Sequence, residues 1–323
     1  MTEILGFPDT FFTAIKVIKS SFLSLPGSLK SDGLKRLLLG LIKKMKFLPP
    51  PFYVRVYYKY YTGKKLNLED PREFNEKIQW LKVYYKDPRL TRLVDKYSVR
   101  SYVKEKVGEK YLNQLLGVYE RPGDVDFSSL PEKFVIKGVH GCNWNLIVEE
   151  TSELVVWKAR LKFRKWLSRN YYYRSGLEWA YKNVKPRLIA EAYLEEVGRK
   201  SINDYKFFCF NGKPRFIQID LERKESHSRR YYDLDWQPLT FTDTDYPPFK
   251  DSLERPPNYE EMVEVATRLA DDFPFVRVDL YNLGGRIVFG EMTFYPADGR
   301  LEFVPDQYNR IIGDYLILPE PLG

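Results

Sequence analysis

Apolar residues recur mostly at helical spacing up to residue 182 and change rhythm from Leu188 onward. Leu34, Leu37, Leu38, Leu41 and Met45 fall on one side of a possible helix. Lys35, Arg36, Lys43, Lys44 and Lys46 crowd the rest of it, and Pro49, Pro50 and Pro51 end it. Phe52 to Tyr61 is Tyr-rich and reads as helix or strand, with a turn at Thr62 to Lys65. Asp70-Pro71 followed by Glu73 marks a helix start, with proline in the first turn and an acid near the positive end. That helix carries Phe74, Ile78 and Leu81. Another is predicted over Arg89 to Val107, ending at Gly108. Residues 115 to 120, 134 to 136 and 146 to 148 read as short strands, and residues 153 to 182 as mainly helical, bounded by Pro186.

Beyond Pro186 the candidates are strands: Leu188 to Tyr193, Asp204 to Phe210, Arg215 to Leu221, Arg277 to Tyr281 and Arg286 to Met292. Asn211-Gly212 is a hairpin turn signal, and Asn282 to Gly285 marks a second reversal. Residues 259 to 272 repeat the helical pattern. Helices together with antiparallel hairpins predict an α+β fold, and nothing follows a dinucleotide-binding βαβ rhythm. The expected organisation is a basic extension over 1–51, a helical region with the first subdomain over 52–187, and a second subdomain over 188–323.

Charge changes this picture locally. Lys and Arg total 52 against 44 Asp and Glu, a formal net charge of +8. Residues 1–50 hold eight bases and three acids, so five of the eight units lie there. Such a segment suits an anionic bilayer surface, or a helix packed on the main domain with a basic solvent face. No run of apolar residues is long enough to span a membrane, and Glu3, Asp9, Lys16 and Lys19 spoil a secretory signal. The expected location is therefore cytoplasmic, with the basic helix available to the inner face of the membrane. A second basic block holds Lys158, Arg160, Lys162, Arg164, Lys165, Arg169 and Arg174 beside Tyr171 to Tyr173. It suits an anionic sugar polymer, a phosphorylated substrate or simply a solvated helix face. No nucleic-acid-binding signature accompanies it. Two His and two Cys exclude a four-ligand zinc site and direct attention to carboxylates.

Four segments carry candidate chemistry. Phe134 to Gly141 is a strand ending in Lys137 and a glycine-containing loop with His140, where a lysine and backbone N–H groups can meet phosphates. It lacks the spacing of a Walker A loop. Asp279 and Glu291 stand in otherwise apolar strands joined by a reversal, where carboxylates need a partner. If the register puts them on one face, they can hold Mg²⁺ against the phosphates of ATP. Arg277, two residues from Asp279, can neutralise a phosphoryl group in transfer, or simply pair with Asp279. Glu191 at a strand can take ribose hydroxyls. Asp204 and Lys206 share a strand face, and a loop with Arg223, His227, Arg229 and Arg230 after Asp220 can clamp a carboxylate or phosphate.

Taken in order, these segments resemble the ATP-grasp superfamily, in its TupA-like branch associated with teichuronopeptide and capsular polysaccharide synthesis. The resemblance runs from Phe52 to Ile312. It rests on Phe74 to Trp80, Asp95 to Arg100, Lys137 to Gly141, Glu191 to Leu194, Phe208 to Pro214, Arg277 to Asp279 and Glu291 to Pro296. It implies nucleotide clamped between two α+β subdomains and an ATP-dependent amide ligase that phosphorylates a carboxylate before an amine displaces phosphate. In matching positions Lys96 and Lys137 are expected to contact phosphates, with His140, Gly141 and Lys206 nearby. Glu191 falls in the hinge beside adenine and ribose, Asp279 and Glu291 are the Mg²⁺ ligands, and Arg277 faces the acyl phosphate. The expected co-substrates are a uronic-acid-containing glycan or its precursor and an amino acid or amine.

Two positions depart from that pattern. Thr293 stands where an Asn is common two residues after the metal-binding Glu, and Cys142 where a small hydroxyl residue is expected. Two other classes stay open: a glycosyltransferase of the same pathway, and a non-catalytic glycan- or membrane-binding protein.

Overall fold

The computed structural model describes residues 40–42, 44–195, 202–221, 227–249 and 253–321. Most of the predicted basic N-terminal helix, and Arg223, lie outside them. The chain forms two compact units, residues 1–65 and 66–323. In the first, the Tyr-rich stretch is a helix, α1 (Pro50–Thr62), opened by prolines whose missing N–H groups cost nothing at a helix start. Along it, at one-turn spacing, Tyr53 stacks on Tyr57 and Tyr57 lies tilted against Tyr61. Gly63 closes it at φ +71°, with its N–H on the Lys59 carbonyl.

The second unit is built on two antiparallel sheets, in keeping with the α+β prediction. Its first elements are α2 (Phe74–Tyr84), α3 (Arg89–Val94) and α4 (Val99–Lys106). The single helix expected over 89–107 is thus two. Asp95 breaks it by accepting from the N–H groups of Tyr97 (2.8 Å) and Ser98 (3.2 Å), a local competition with helical bonding typical of Asp. The break leaves Lys96 on a tight turn.

The first sheet has the order β1 (Leu115–Tyr119), β4 (Leu188–Ala192), β2 (Phe134–Gly138), β3 (Asn145–Val148). Strand β4 lies inside it, between β1 and β2, so the first sheet extends to Ala192. Between β3 and β4, only α5 (Val156–Leu167) is a long helix. The remainder of the predicted helical run forms short turns at Tyr171–Tyr173 and Trp179–Tyr181. Helix α5 stops at Leu167, and Asn170 starts the first of these turns by accepting from the Tyr172 N–H.

The second sheet has five strands. They lie in the order β10 (Arg286–Thr293), β9 (Phe275–Leu283), β5 (Asp204–Phe210), β6 (Lys213–Leu221) and β7 (Ser228–Asp233). One face, with Phe207, Ile217, Ile219, Val276, Val278 and Leu280, packs on Met262, Val265, Ala266 and Leu269 of α6 (Tyr259–Ala270). Each of these side chains is almost wholly removed from water, worth roughly 1.5–3 kcal/mol apiece. On the other face, Phe208, Phe210, Phe216 and Phe275 gather around Phe74 of α2. Short strands β8 (Thr242–Asp243) and β11 (Phe303–Val304) and the final helix α7 (Gln307–Tyr315) complete the unit.

The Phe74 to Trp80 motif of the sequence works as a clamp on the C-terminal segment. Asn75 exchanges two bonds with the backbone of Leu301 (2.7 and 3.0 Å). Gln79 donates to the carbonyls of Asp298 and Gly299, and Lys77 to those of Gly313 and Leu316 at the end of α7. Lys82, fully buried, pairs with Asp298 at 2.5 Å. No helix among the described residues is long and apolar enough to cross a membrane.

Candidate active site

Strand periodicity assembles the site. In β5, β6, β7 and β9, polar residues occupy alternate positions on one face: Asp204 and Lys206, Gln218 and Asp220, Arg229 and Tyr231, Arg277 and Asp279. Register lines them into rungs. Glu291, Asp279, Lys206, Gln218 and Tyr231 lie across the sheet in succession, and Asp204, Asp220 and Arg229 form the next rung.

A β-bulge completes the first rung. The register of β10 slips between Phe289 and Glu291, so Gly290 is the extra residue and Glu291 stands directly opposite Asp279. A Cβ on Gly290 would sit 3.0 Å from the Asp279 carbonyl oxygen, a tight contact that favours glycine at the bulge.

Two lysines face this rung, one from a helix turn and one from the first sheet. Lys96, on the turn between α3 and α4, donates to the Gly141 carbonyl (3.0 Å) and reaches Glu291 at 3.5 Å. Lys137, next to last in β2, pairs with Glu191 of β4 at 2.7 Å. Gly141 itself is pressed so closely against Trp144 and Tyr171 that a Cβ would lie 2.9–3.0 Å from their rings. A cavity of about 380 Å³ opens between the two sets of residues. Lys96, Lys137, Lys206, Arg277, Asp279 and Glu291 all line it, together with Asp204, Asp220 and Arg229.

Two predicted site residues are placed differently. Glu191 is buried and held by Lys137 and by Arg100 (3.2 Å), so it reaches the cavity only through Lys137. His140 does not line the cavity. It is buried behind the loop, with Nε2 donating to the Trp166 carbonyl (3.0 Å) and its ring edge-on to Trp144. The backbone turns that side chain inward, which corrects its expected place among the cofactor contacts. Arg223 lies outside the described residues. Asp204, Asp220 and Arg229, named from sequence on a strand face and a basic loop, line the cavity; Gln218 beside them was not singled out, although its alternation with apolar neighbours was the available signal.

Charges in the cavity are paired. Arg277 holds Asp279 through two bonds of 2.7 Å and donates to Thr293 Oγ1 at 3.3 Å. Lys206 pairs with Asp204 and, at 3.1 Å, with Asp220. Arg229 grips Asp220 (2.6 Å) and Asp243 (2.9 Å). Burial pushes the Asp279 carboxyl up to about 6, against the opposing pull of Arg277 and Lys206. Burial also works to raise Glu291, but Lys96, Arg277 and Lys206 outweigh it and hold that carboxyl below its usual value. Cys142, at the cavity wall, lies 3.4 Å from the Tyr181 hydroxyl. Burial raises its thiol to about 11, so it is no thiolate nucleophile at neutral pH.

Among the described residues no group of three or more His, Cys, Asp or Glu is placed to hold a metal ion by itself. The Asp279 and Glu291 pair fits Mg²⁺, which takes one or two carboxylates and completes its shell with waters and substrate phosphates.

The TupA-like ATP-grasp family model matches residues 76–317, which include every part of this arrangement. The chain belongs to the TupA-like ATP-grasp family. Its fold is accordingly the ATP-grasp fold. No curated protein matches its sequence. Among solved structures, this ATP-grasp chain is similar to D-alanine–D-alanine ligase of Bacillus anthracis complexed with ATP. That match has 13% identity and a TM-score of 0.37, and covers 64% of this chain and 55% of that one. It is also similar to the ATP-grasp ligase PsnB with Mg and ADP (10%, TM-score 0.38, 68% and 57%). A third is the D-alanine–D-alanine ligase of Helicobacter pylori (12%, TM-score 0.38, 78% and 68%). The chain thus aligns with little more than half the length of the first of these relatives, and the family match alone carries the assignment.

Proposed function

We propose that this protein is an ATP-dependent carboxylate–amine ligase that joins an amino acid or amine to a carboxylate of a surface polysaccharide or its precursor. The observation that carries the reading is the rung of Glu291, Asp279 and Lys206, with Arg277 beside it, facing Lys96 and Lys137 across one cavity. In the reaction, a substrate carboxylate oxygen attacks the terminal phosphorus of ATP, ADP leaves, and an acyl phosphate forms. An amine nitrogen then attacks the acyl carbon, phosphate leaves with the C–O bond broken, and a phosphate oxygen accepts the amine proton.

Each residue has a role in that scheme. Lys96 and Lys137, placed at the phosphate loop, would contact the phosphates, with Lys206 nearby from the second sheet. Asp279 and Glu291 would hold Mg²⁺, which supplies charge neutralisation between phosphate oxygens. Arg277, already oriented by Asp279 and Thr293, would stabilise negative charge on the transferring group, where fixed cations act most strongly. By the resemblance, Glu191 would belong to the hinge segment beside adenine and ribose. The relatives crystallised with ATP, or with Mg and ADP, support the nucleotide and the metal. The glycan substrate rests on the teichuronopeptide association of the TupA-like branch.

The test incubates the protein with ATP, Mg²⁺, uronic-acid oligosaccharides and a panel of amino acids, with amide adducts read by mass spectrometry and ADP by coupled assay. Adducts that vanish in Asp279→Asn and Glu291→Gln, with the fold retained, are expected. Unimpaired turnover in both variants overturns the metal assignment. ATP consumption without any amide product overturns the proposed substrate class.

A further inference from the structure

We propose that the outward face of α5 is a docking surface for an anionic lipid bilayer. This goes beyond the ligase reading and does not depend on it.

Only a narrow strip of α5 is buried: Ala159, Phe163 and Trp166, spaced at three and four residues. At roughly 100° per residue, the positions diametrically opposite that strip are Trp157 and Leu161. They are 62% and 51% exposed. An ordinary solvated helix places charge at its outward pole. Here the pole is an indole and an isobutyl group one turn apart, and the cations flank them. Arg160 and Arg164 lie on one side, Lys158 and Lys165 on the other, and the helix carries no acid.

That is the geometry of an interfacial helix. Apolar groups enter the boundary between headgroups and acyl chains while long basic side chains extend back to the phosphates. The acids nearest the helix, Glu149, Glu150 and Glu153, line a groove together with Lys158 and Lys162, on one flank of α5 rather than at its pole. A soluble polyanion would complement the same cations and can stack on the indole, but it would leave the Leu161 side chain in water, which favours the bilayer.

The inner side of the same helix supports the phosphate loop. Its Trp166 carbonyl accepts from His140, whose ring stacks edge-on to Trp144, and Trp144 lies edge-on to Tyr171. A bilayer on the outer side of α5 is therefore one helix thickness from the loop that borders the cavity.

The test uses the full chain and sedimentation with vesicles of phosphatidylcholine alone or with added phosphatidylglycerol. Binding only to the anionic vesicles is expected, weakening with salt. The variant Arg160→Ala/Arg164→Ala/Lys165→Ala should bind about a hundredfold more weakly, from the loss of three surface-facing cations. The basic N-terminal segment is intact in both proteins, so the difference reports α5. Brominated acyl chains should quench a fluorescence component that is lost in Trp157→Phe. Unchanged binding by the triple variant overturns the proposal. So does an unquenched Trp157 accompanied by equally tight binding of dextran sulfate, which would make the face a polyanion site.

Discussion

Lys82 offers the sharpest test of how the cavity wall is held. Its ammonium is fully buried and pairs with Asp298 at 2.5 Å, and it also donates to Gln79 Oε1 at 3.1 Å. Asp298 belongs to the loop that follows β10 and contributes Ala297 and Leu301 to the cavity lining. Lys82→Met keeps the stem volume and removes the charge, leaving a buried carboxylate. Breaking a buried pair in this way costs about 3–5 kcal/mol. The low end applies, because Asp298 still accepts from the Gly176 N–H through both oxygens (3.2 and 3.1 Å) and keeps Arg300 at 3.6 Å. About 3 kcal/mol is expected, roughly a hundredfold in the folding equilibrium. Urea unfolding measures the total, and amide exchange at Gly176 and Leu301 reports the loop. Adding Asp298→Asn should recover much of the loss, since no uncompensated charge remains. A Lys82→Met protein within about 1 kcal/mol of wild type, with unaltered exchange at Gly176, would refute the reasoning.

Gly290→Ala should displace β10 at the bulge, costing about 1–3 kcal/mol in urea unfolding and weakening Mg²⁺ binding by calorimetry; wild-type values for both would show that the bulge tolerates a side chain. Burial holds the His140 imidazole below its ordinary 6.5, so the neutral form is favoured in the fold and its stabilisation is lost as pH falls from that value. His140→Gln should therefore flatten the dependence of stability on pH below 6.5, and identical slopes in the two proteins would contradict this. Asp279 has the opposite sign: raised from 3.8 to about 6, its protonated form is favoured, and its contribution to stability is lost as pH rises through that range. Mg²⁺ needs the charged carboxylate, so metal affinity in the nucleotide-free protein should fall about tenfold per pH unit below about 6. A metal affinity that stays level on acidification would remove Asp279 from the ligand set.

Much of the site was legible because its residues break an apolar pattern. Asp279, Glu291 and Lys137 stood out as charged groups in strands that otherwise read as buried, and all three line the cavity. What sequence could not supply was register. Whether Asp279 and Glu291 share a face turns on one extra residue at Gly290, and a bulge leaves only a glycine as its trace. The division of the 89–107 helix was hidden because Asp95 suits a helix turn as well as a helix break until Arg187 (2.6 Å) and Ser98 fix its carboxylate. His140 looked like a loop ligand because a histidine next to glycine is ambiguous in orientation, and only the packing of Trp144 and Trp166 turns it inward. Strand β7 went unseen because Ser228 to Tyr232 reads as a charged loop. Its Arg229 is neutralised by Asp220 and Asp243 from neighbouring strands, partners that lie 9 and 14 residues away.

The pairwise neutrality of the cavity has a consequence for how a charged nucleotide would enter it. Lys96 leans on Glu291, Lys137 on Glu191, Arg277 on Asp279, and Lys206 on Asp204 and Asp220, so each cation already has an internal counterion. A phosphate chain arriving with its metal brings both signs at once. The lysines can transfer to phosphate oxygens while the freed carboxylates transfer to the metal. Binding of this kind exchanges partners instead of releasing counterions from solution, so its affinity should depend only weakly on added salt. It also couples the two ligands, so each should bind more tightly in the presence of the other.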